Sequence, residues 1–154
     1  ELAEELKSLG ADVVLVDGDD LAERVAGATG NAAIRLGIEA IGGAATGRIV
    51  DCVATEGTVV HYGSMSGEDL RVRRSNLIYR GIKLTGFMLG RGLAKRDATK
   101  IREIYAELAA QVVAGTLYAP VDTVYPIEKI KEALAHADKG GRNGKILVAP
   151  NGAI

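Results

Sequence analysis

Apolar positions along the chain switch repeatedly between helical spacing and short β-branched runs, with glycine at the changeovers. Leu2, Leu6 and Leu9 share one helical face, and Gly10 supplies a stop. Residues 12–17, Asp-Val-Val-Leu-Val-Asp, predict a short strand. Asp19 or Asp20 suits the cap of a helix running through Val25 and Ala26. Residues 33–41 alternate apolar with polar or small residues and predict a strand that stops at Gly42-Gly43. Residues 44–53 then form a small-residue helix, with Ile49, Val50 and Val53 facing inward. The organising stretch is Gly57-Thr58-Val59-Val60-His61-Tyr62-Gly63-Ser64-Met65. A β-branched run with helical pattern on both sides reads as a buried strand of a parallel sheet, and this one breaks at Gly63.

Beyond it, residues 64–74 are polar and basic, a loop, and residues 75–79 suit one helical turn. Residues 81–87 alternate cleanly and predict a strand at a sheet edge. Residues 88–96 form a linker or short helix. Asp97 caps the longest helix, in which Ile101, Ile104, Tyr105, Leu108 and Val112 keep one face apolar. Residues 121–125 predict a strand, and Pro126 opens a helix with Ile127, Ile130 and Leu134 inward. Residues 144–148 predict a last strand. This alternation implies an α/β fold with a parallel sheet and right-handed crossovers, and its final strand–helix–strand suits a second structural unit.

Composition narrows the function. The 154 residues are 47% hydrophobic but only 4% aromatic, so the core is aliphatic. The formal charge of −1 gives no reason to expect nucleic-acid binding. The single cysteine, Cys52, excludes an internal disulfide and a cysteine-based zinc cluster. No apolar run is long enough to span a bilayer and no signal peptide is visible, so the expectation is a cytoplasmic protein without a membrane partner.

Candidate chemistry is sparse. In open α/β sheets ligands bind at the carboxyl ends of strands, where Tyr62-Gly63 falls. A glycine there lets a flat ligand approach backbone without meeting a Cβ. The dinucleotide fingerprint G-x-G-x-x-G is absent. Gly42-Gly43-Ala44-Ala45-Thr46-Gly47 has its composition without its spacing; it is a tight turn or a place where helix N–H groups meet a ligand. Gly144-Lys145 does not belong to a phosphate-binding loop, since Ile146 stands where Ser or Thr is needed. His61 and His136 lack partners at metal-ligand spacing, and His61 reads as a polar residue ending a strand. Tyr62 suits either a ligand stack or an amphipathic rim. Arg71, Arg73, Arg74 and Arg80 read as a solvated loop, with a phosphate-bearing substrate as the alternative. On residues alone this is a ligand-binding α/β domain without a visible catalytic machine.

Three stretches in their order resemble the medium-chain dehydrogenase/reductase superfamily: Ala40-Ile41-Gly42-Gly43, residues 57–67, and Lys83-Leu84-Thr85-Gly86-Phe87-Met88-Leu89. Within it they most resemble the zinc-free quinone-reductase and 2-enoyl thioester reductase branch. Leu9-Gly10-Ala11-Asp12 and the tail from Ala119-Pro120 through Gly144-Lys145-Ile146-Leu147 are similar to that family's segments at corresponding places. The resemblance implies a partial Rossmann domain, a doubly wound parallel sheet without its first two strands, over residues 1–115. It implies that residues 116–154 return to a catalytic domain. The absent strands would lie between those at Val13 and Ile34, and the start at Glu1 then marks a piece of a longer reductase.

The resemblance also implies NADP(H) as cofactor, held by Gly42 and Gly43, by the turn Tyr62, Gly63, Ser64 and Met65, by Phe87, Met88 and Leu89, and by Lys145. Ser64 stands where the family has Gly, and Met88 where it has Trp. No catalytic residue and no metal ligand is carried over. The implied reaction is hydride transfer to an activated C=C bond of an acyl thioester or quinone, with the chain alone inactive. The implied assembly is a homodimer through the strand at residues 82–87. Two other readings stand beside this one: a non-catalytic α/β module that binds a nucleotide or a partner, and part of a zinc-dependent alcohol dehydrogenase.

Overall fold

The computed structural model describes residues 2–152. They form two compact units, one up to Gly92 and one from Leu93.

In the first unit, the helices are α1 (Leu2–Ser8), α2 (Leu21–Ala28), α3 (Gly43–Cys52), α4 (Arg74–Ile78) and α5 (Leu89–Leu93), the last ending at the division. The strands are β1 (Leu36–Glu39), β2 (Thr58–His61) and β3 (Lys83–Gly86), all parallel in the order β1-β2-β3. The β-branched run therefore lies in the central strand. Its neighbours are in register Gly37↔Val59 and Val59↔Leu84, then Glu39↔His61 and His61↔Gly86. Side chains alternate across a sheet, so Gly37, Glu39, Val59, His61 and Leu84 share one face. The core sits on that face, where Val50 and Val53 pack on Val59 and Ile82, all four nearly inaccessible to water. Burial of each contributes about 1.5–3 kcal/mol. Gly37 is the contact point for α3: a Cβ there would stand 2.8 Å from Ile49 Cγ2.

Two local expectations change. Residues 12–17 run without a ladder partner. Their carboxyl end is held instead by ion pairing: Asp17 accepts from Arg48 of α3 at 2.6 and 2.5 Å. Asp20 occupies the cap position of α2, but its carboxylate accepts from Arg24 Nε at 2.9 Å rather than from a helix N–H. An arginine one turn on outcompetes the backbone because the bond is charge-assisted.

The second unit holds α6 (Ala98–Val113), β4 (Val121–Pro126), α7 (Ile130–Asp138) and β5 (Lys145–Ala149), with β4 and β5 parallel. Asp97 caps α6 as expected, accepting the Lys100 N–H at 2.8 Å. Pro126 ends β4, opposite Ala149, and leads into a 3-10 turn at Ile127–Lys129 before α7 begins. The inward face of α7 is Ala133, 2% exposed, while Ile127, Ile130 and Leu134 are 43%, 37% and 62% exposed. A 3-10 turn thus separates Pro126 from α7, and the buried residue of α7 is the small one.

Candidate functional site at the carboxyl edge of the sheet

The three parallel strands end side by side, and hydrogen bonds stitch their tips together. The Tyr62 N–H donates to Glu39 O at 3.0 Å, and the Phe87 N–H donates to His61 O at 2.9 Å. The turn after β2 folds back onto the turn after β1: Met65 N–H donates to Ala40 O at 3.0 Å and Ser66 N–H to Ile41 O at 2.8 Å. Gly42, Gly43, Tyr62, Gly63, Ser64, Met65 and Phe87 thus lie along one edge, and Met88 and Leu89 continue from Phe87 into α5. Lys145 opens β5 in the second unit, is exposed, and donates its N–H to Pro120 O at 2.7 Å.

The side chains at this edge face outward. Tyr62, Phe87 and Leu89 are each more than half exposed, and Met65 and Met88 more so. The glycines also serve the packing of the turns. Gly42, at φ +90°, has a backbone that an L side chain rarely adopts, and an ideal Cβ would sit 3.0 Å from both Glu68 O and Ser66 Oγ. At Gly43 a Cβ would meet the Glu68 carboxylate, and at Gly63 it would meet Ala40. The Cβ space at these three positions is taken by protein. The glycines let the turns pack against one another, and the packed turns present the exposed rim.

The feature that sequence reasoning missed is Glu39. Its side chain is 3% exposed, at the last position of β1. Oε1 accepts the N–H of Ile41 at 2.5 Å and of Gly42 at 2.8 Å. Oε2 accepts the Thr46 hydroxyl at 2.9 Å and faces His61 Nδ1 at 2.5 Å. Burial alone would raise the carboxyl pKa. The bonds from Gly42, His61, Ile41 and Thr46 outweigh it and hold the group below the usual carboxylate range. The local signal for Glu39 itself is one acidic residue in an apolar strand, immediately before Ala-Ile-Gly-Gly.

Three of the four arginines, Arg71, Arg73 and Arg80, bond to protein groups. Arg73 reaches Asp51 Oδ2 at 2.5 Å and Arg71 reaches Glu68 at 3.0 Å. Arg80 donates to Asn76 Oδ1 at 3.0 Å and to the Val53 carbonyl. Asp51 also accepts from Asn76, which ties α4 to α3. Cys52 is half-buried and donates to Arg48 O; burial pushes its thiol pKa up, which suits a packing role.

An apolar cavity of about 520 Å³ lies beside β1, bordered by Val13 and Leu15 on one side and Leu36, Ile38 and Ile49 on the other. Among the described residues, the outer edge of β1 pairs with no strand. No group of three or more His, Cys, Asp or Glu among them is placed to hold a metal ion. No helix among them is long and apolar enough to cross a membrane.

Comparison with known proteins fits this architecture. The sequence profile of the family described as zinc-binding dehydrogenase matches residues 9–148. The mitochondrial enoyl-[acyl-carrier-protein] reductase of Arabidopsis thaliana is 31% identical over 150 residues, which is 96% of this chain and 40% of that protein. The rat protein of the same name is 27% identical over 135 residues, 87% of this chain and 36% of its own. The chain thus spans about two fifths of the length of such curated relatives. Among solved structures, a protein described as an NADPH:quinone reductase from Bacillus thuringiensis superposes with a TM-score of 0.81 at 22% identity, covering 95% of this chain and 45% of that one. The mitochondrial 2-enoyl thioester reductase heterodimer from Candida tropicalis gives 0.77 at 18% identity, covering 95% and 43%. These two structural likenesses concern the fold, an α/β Rossmann type. Taken with the profile match along most of its length, they make the chain a member of the zinc-binding dehydrogenase family, within the medium-chain dehydrogenase/reductase superfamily.

Proposed function

We propose that this chain is the cofactor-side portion of an NADP(H)-dependent reductase of the zinc-free quinone-reductase and enoyl-thioester-reductase branch. Its whole protein would reduce an activated C=C bond in an acyl thioester or a quinone. The observation that carries the reading is the alignment of three turns, at Gly42-Gly43, at residues 62–65 and at residues 87–89, on the carboxyl ends of three adjacent parallel strands. The relatives' names, enoyl reductases and an NADPH:quinone reductase, support the same chemistry.

When bound, the nicotinamide cofactor supplies the hydride. The chain's own part is to bind, orient and keep water out. Tyr62, Met65, Phe87, Met88 and Leu89 would give the ring an apolar rim, while Gly42, Gly43, Gly63 and Ser64 would offer backbone. Lys145 would supply a cationic contact, and residues 116–154 would return to the catalytic domain. The unpaired outer edge of β1 beside the apolar cavity is where the sheet would continue. The outer edge of β3 would pair with a second copy. A cytoplasmic location belongs to the same reading, although the curated relatives are named as mitochondrial; cell fractionation decides it.

The test is an NADPH fluorescence titration of the 154-residue chain run beside an NADPH-oxidation assay with an enoyl thioester and with a quinone. Saturable binding without turnover is expected. Absence of binding overturns the cofactor assignment, and turnover by this chain overturns its inactivity.

A further inference from the structure

The Glu39–His61 pair is more than a packing contact. An ionised carboxylate only accepts hydrogen bonds. With Glu39 holding its charge, the contact at Nδ1 requires a proton on that nitrogen, which leaves Nε2 of the neutral ring with a bare lone pair. Among the described residues no hydrogen bond reaches Nε2. The His61 side chain is 20% exposed. Its register neighbour on β3 is Gly86, where a Cβ would find nothing closer than His61 O at 3.9 Å. Gly86 therefore leaves open space on the sheet face that carries the imidazole, one residue before Tyr62 and Phe87.

We propose that Glu39 is a positioning residue that fixes the tautomer of His61, so that His61 Nε2 accepts a hydrogen bond from a primary-amide N–H, the carboxamide of a nicotinamide ring. This rests on the cofactor assignment above and adds a specificity-determining side chain to it. The pairing is selective because an acceptor lone pair favours an amide and repels the carboxylate of the corresponding acid. Glu39 achieves this without touching the ligand. Its remaining bonds, to the Ile41 and Gly42 N–H groups and Thr46, anchor it against the turn.

The discriminating variant is Glu39→Gln. The glutamine carbonyl can keep the backbone N–H bonds, but its amide N–H now donates to Nδ1, so the ring proton moves to Nε2 and the acceptor becomes a donor. Nitrogen NMR of the histidine-labelled full chain, above the imidazole titration range, reads the tautomer directly. The chain has only two histidines, and His136 serves as the internal control.

The wild type is expected to show a protonated Nδ1 and a bare Nε2 at His61, and Glu39→Gln the reverse, with His136 unchanged. NADPH is expected to move the His61 Nε2 resonance, whereas its deamido analogue, a carboxylic acid, is not. Glu39→Gln is expected to shift the preference between the two ligands about tenfold toward the deamido analogue, whose carboxylate accepts from the new Nε2–H. A wild-type ring protonated at Nε2, a tautomer unchanged by Glu39→Gln, or NADPH binding that leaves Nε2 unmoved overturns the proposal. If NADPH fails to bind either protein, the cofactor assignment and the ligand half of this inference fall together, and the ligand-free spectra still decide the dyad.

Discussion

Gly63 rests directly on Ala40: a Cβ at position 63 would lie 3.0 Å from the Ala40 carbonyl oxygen and 3.1 Å from its Cβ. That contact joins the turn after β2 to the turn after β1. Because the obstacle is backbone, it cannot move aside as a flexible side chain would. Gly63→Ala is expected to cost about 1–3 kcal/mol, the usual range for overpacking, measured as a drop in thermal midpoint. An unchanged midpoint would mean the two turns are not packed as described.

A pair of helix glycines separates packing from propensity. Glycine to alanine inside a helix gains up to about 1 kcal/mol. At Gly27 in α2 nothing lies within 4 Å of the added Cβ, so Gly27→Ala is expected to raise the midpoint. At Gly47 in α3 the Cβ would stand 2.5 Å from Arg71 O, and Gly47→Ala is expected to lower it. The same direction of change in both variants would count against the seating of α3 under the 64–73 loop.

Acid sensitivity follows from three carboxylates. Asp17 is lowered chiefly by its bond from Arg48. In Glu39 and in Asp51 burial acts in the raising direction but is outweighed, in Asp51 by Arg73 and Asn76. A depressed folded-state pKa gives stability that is present above the ordinary carboxylate range and lost as pH falls through the depressed value. Urea midpoints are expected to be level from neutrality down to that range and to fall below it, with a shallower fall in Glu39→Gln. A midpoint that rises on acidification contradicts these assignments.

The order β1-β2-β3 leaves β3 with one edge unpaired among the described residues. Unpaired edges invite strand addition. Light scattering coupled to size exclusion is expected to give a dimer through residues 82–87, and a strict monomer at all concentrations would contradict that.

Much of this fold is legible in the sequence because its signals are local. The β-branched run at residues 58–61, the Asp97 cap and the small-residue face of α3 each became the expected element. The misses come from non-local effects. Residues 12–17 have the composition of a strand, but a strand exists only with a partner, and among the described residues none pairs with them. Ile130 and Leu134 have helical spacing, yet Ala133 is the residue of α7 that is buried. At the site, the turns at Gly42 and Tyr62 are readable as glycine breaks. The Glu39–His61 pair is not, because the residues stand 22 apart and meet only through the parallel register.

The central claim is that the carboxyl edge of β1, β2 and β3 receives the nicotinamide cofactor. Its most direct test is to titrate NADPH into the isotope-labelled chain and map backbone amide shifts. Saturable shifts concentrated at residues 41–43, 62–65 and 87–89 are expected. Saturable shifts gathered elsewhere, with those three turns unmoved, would contradict it.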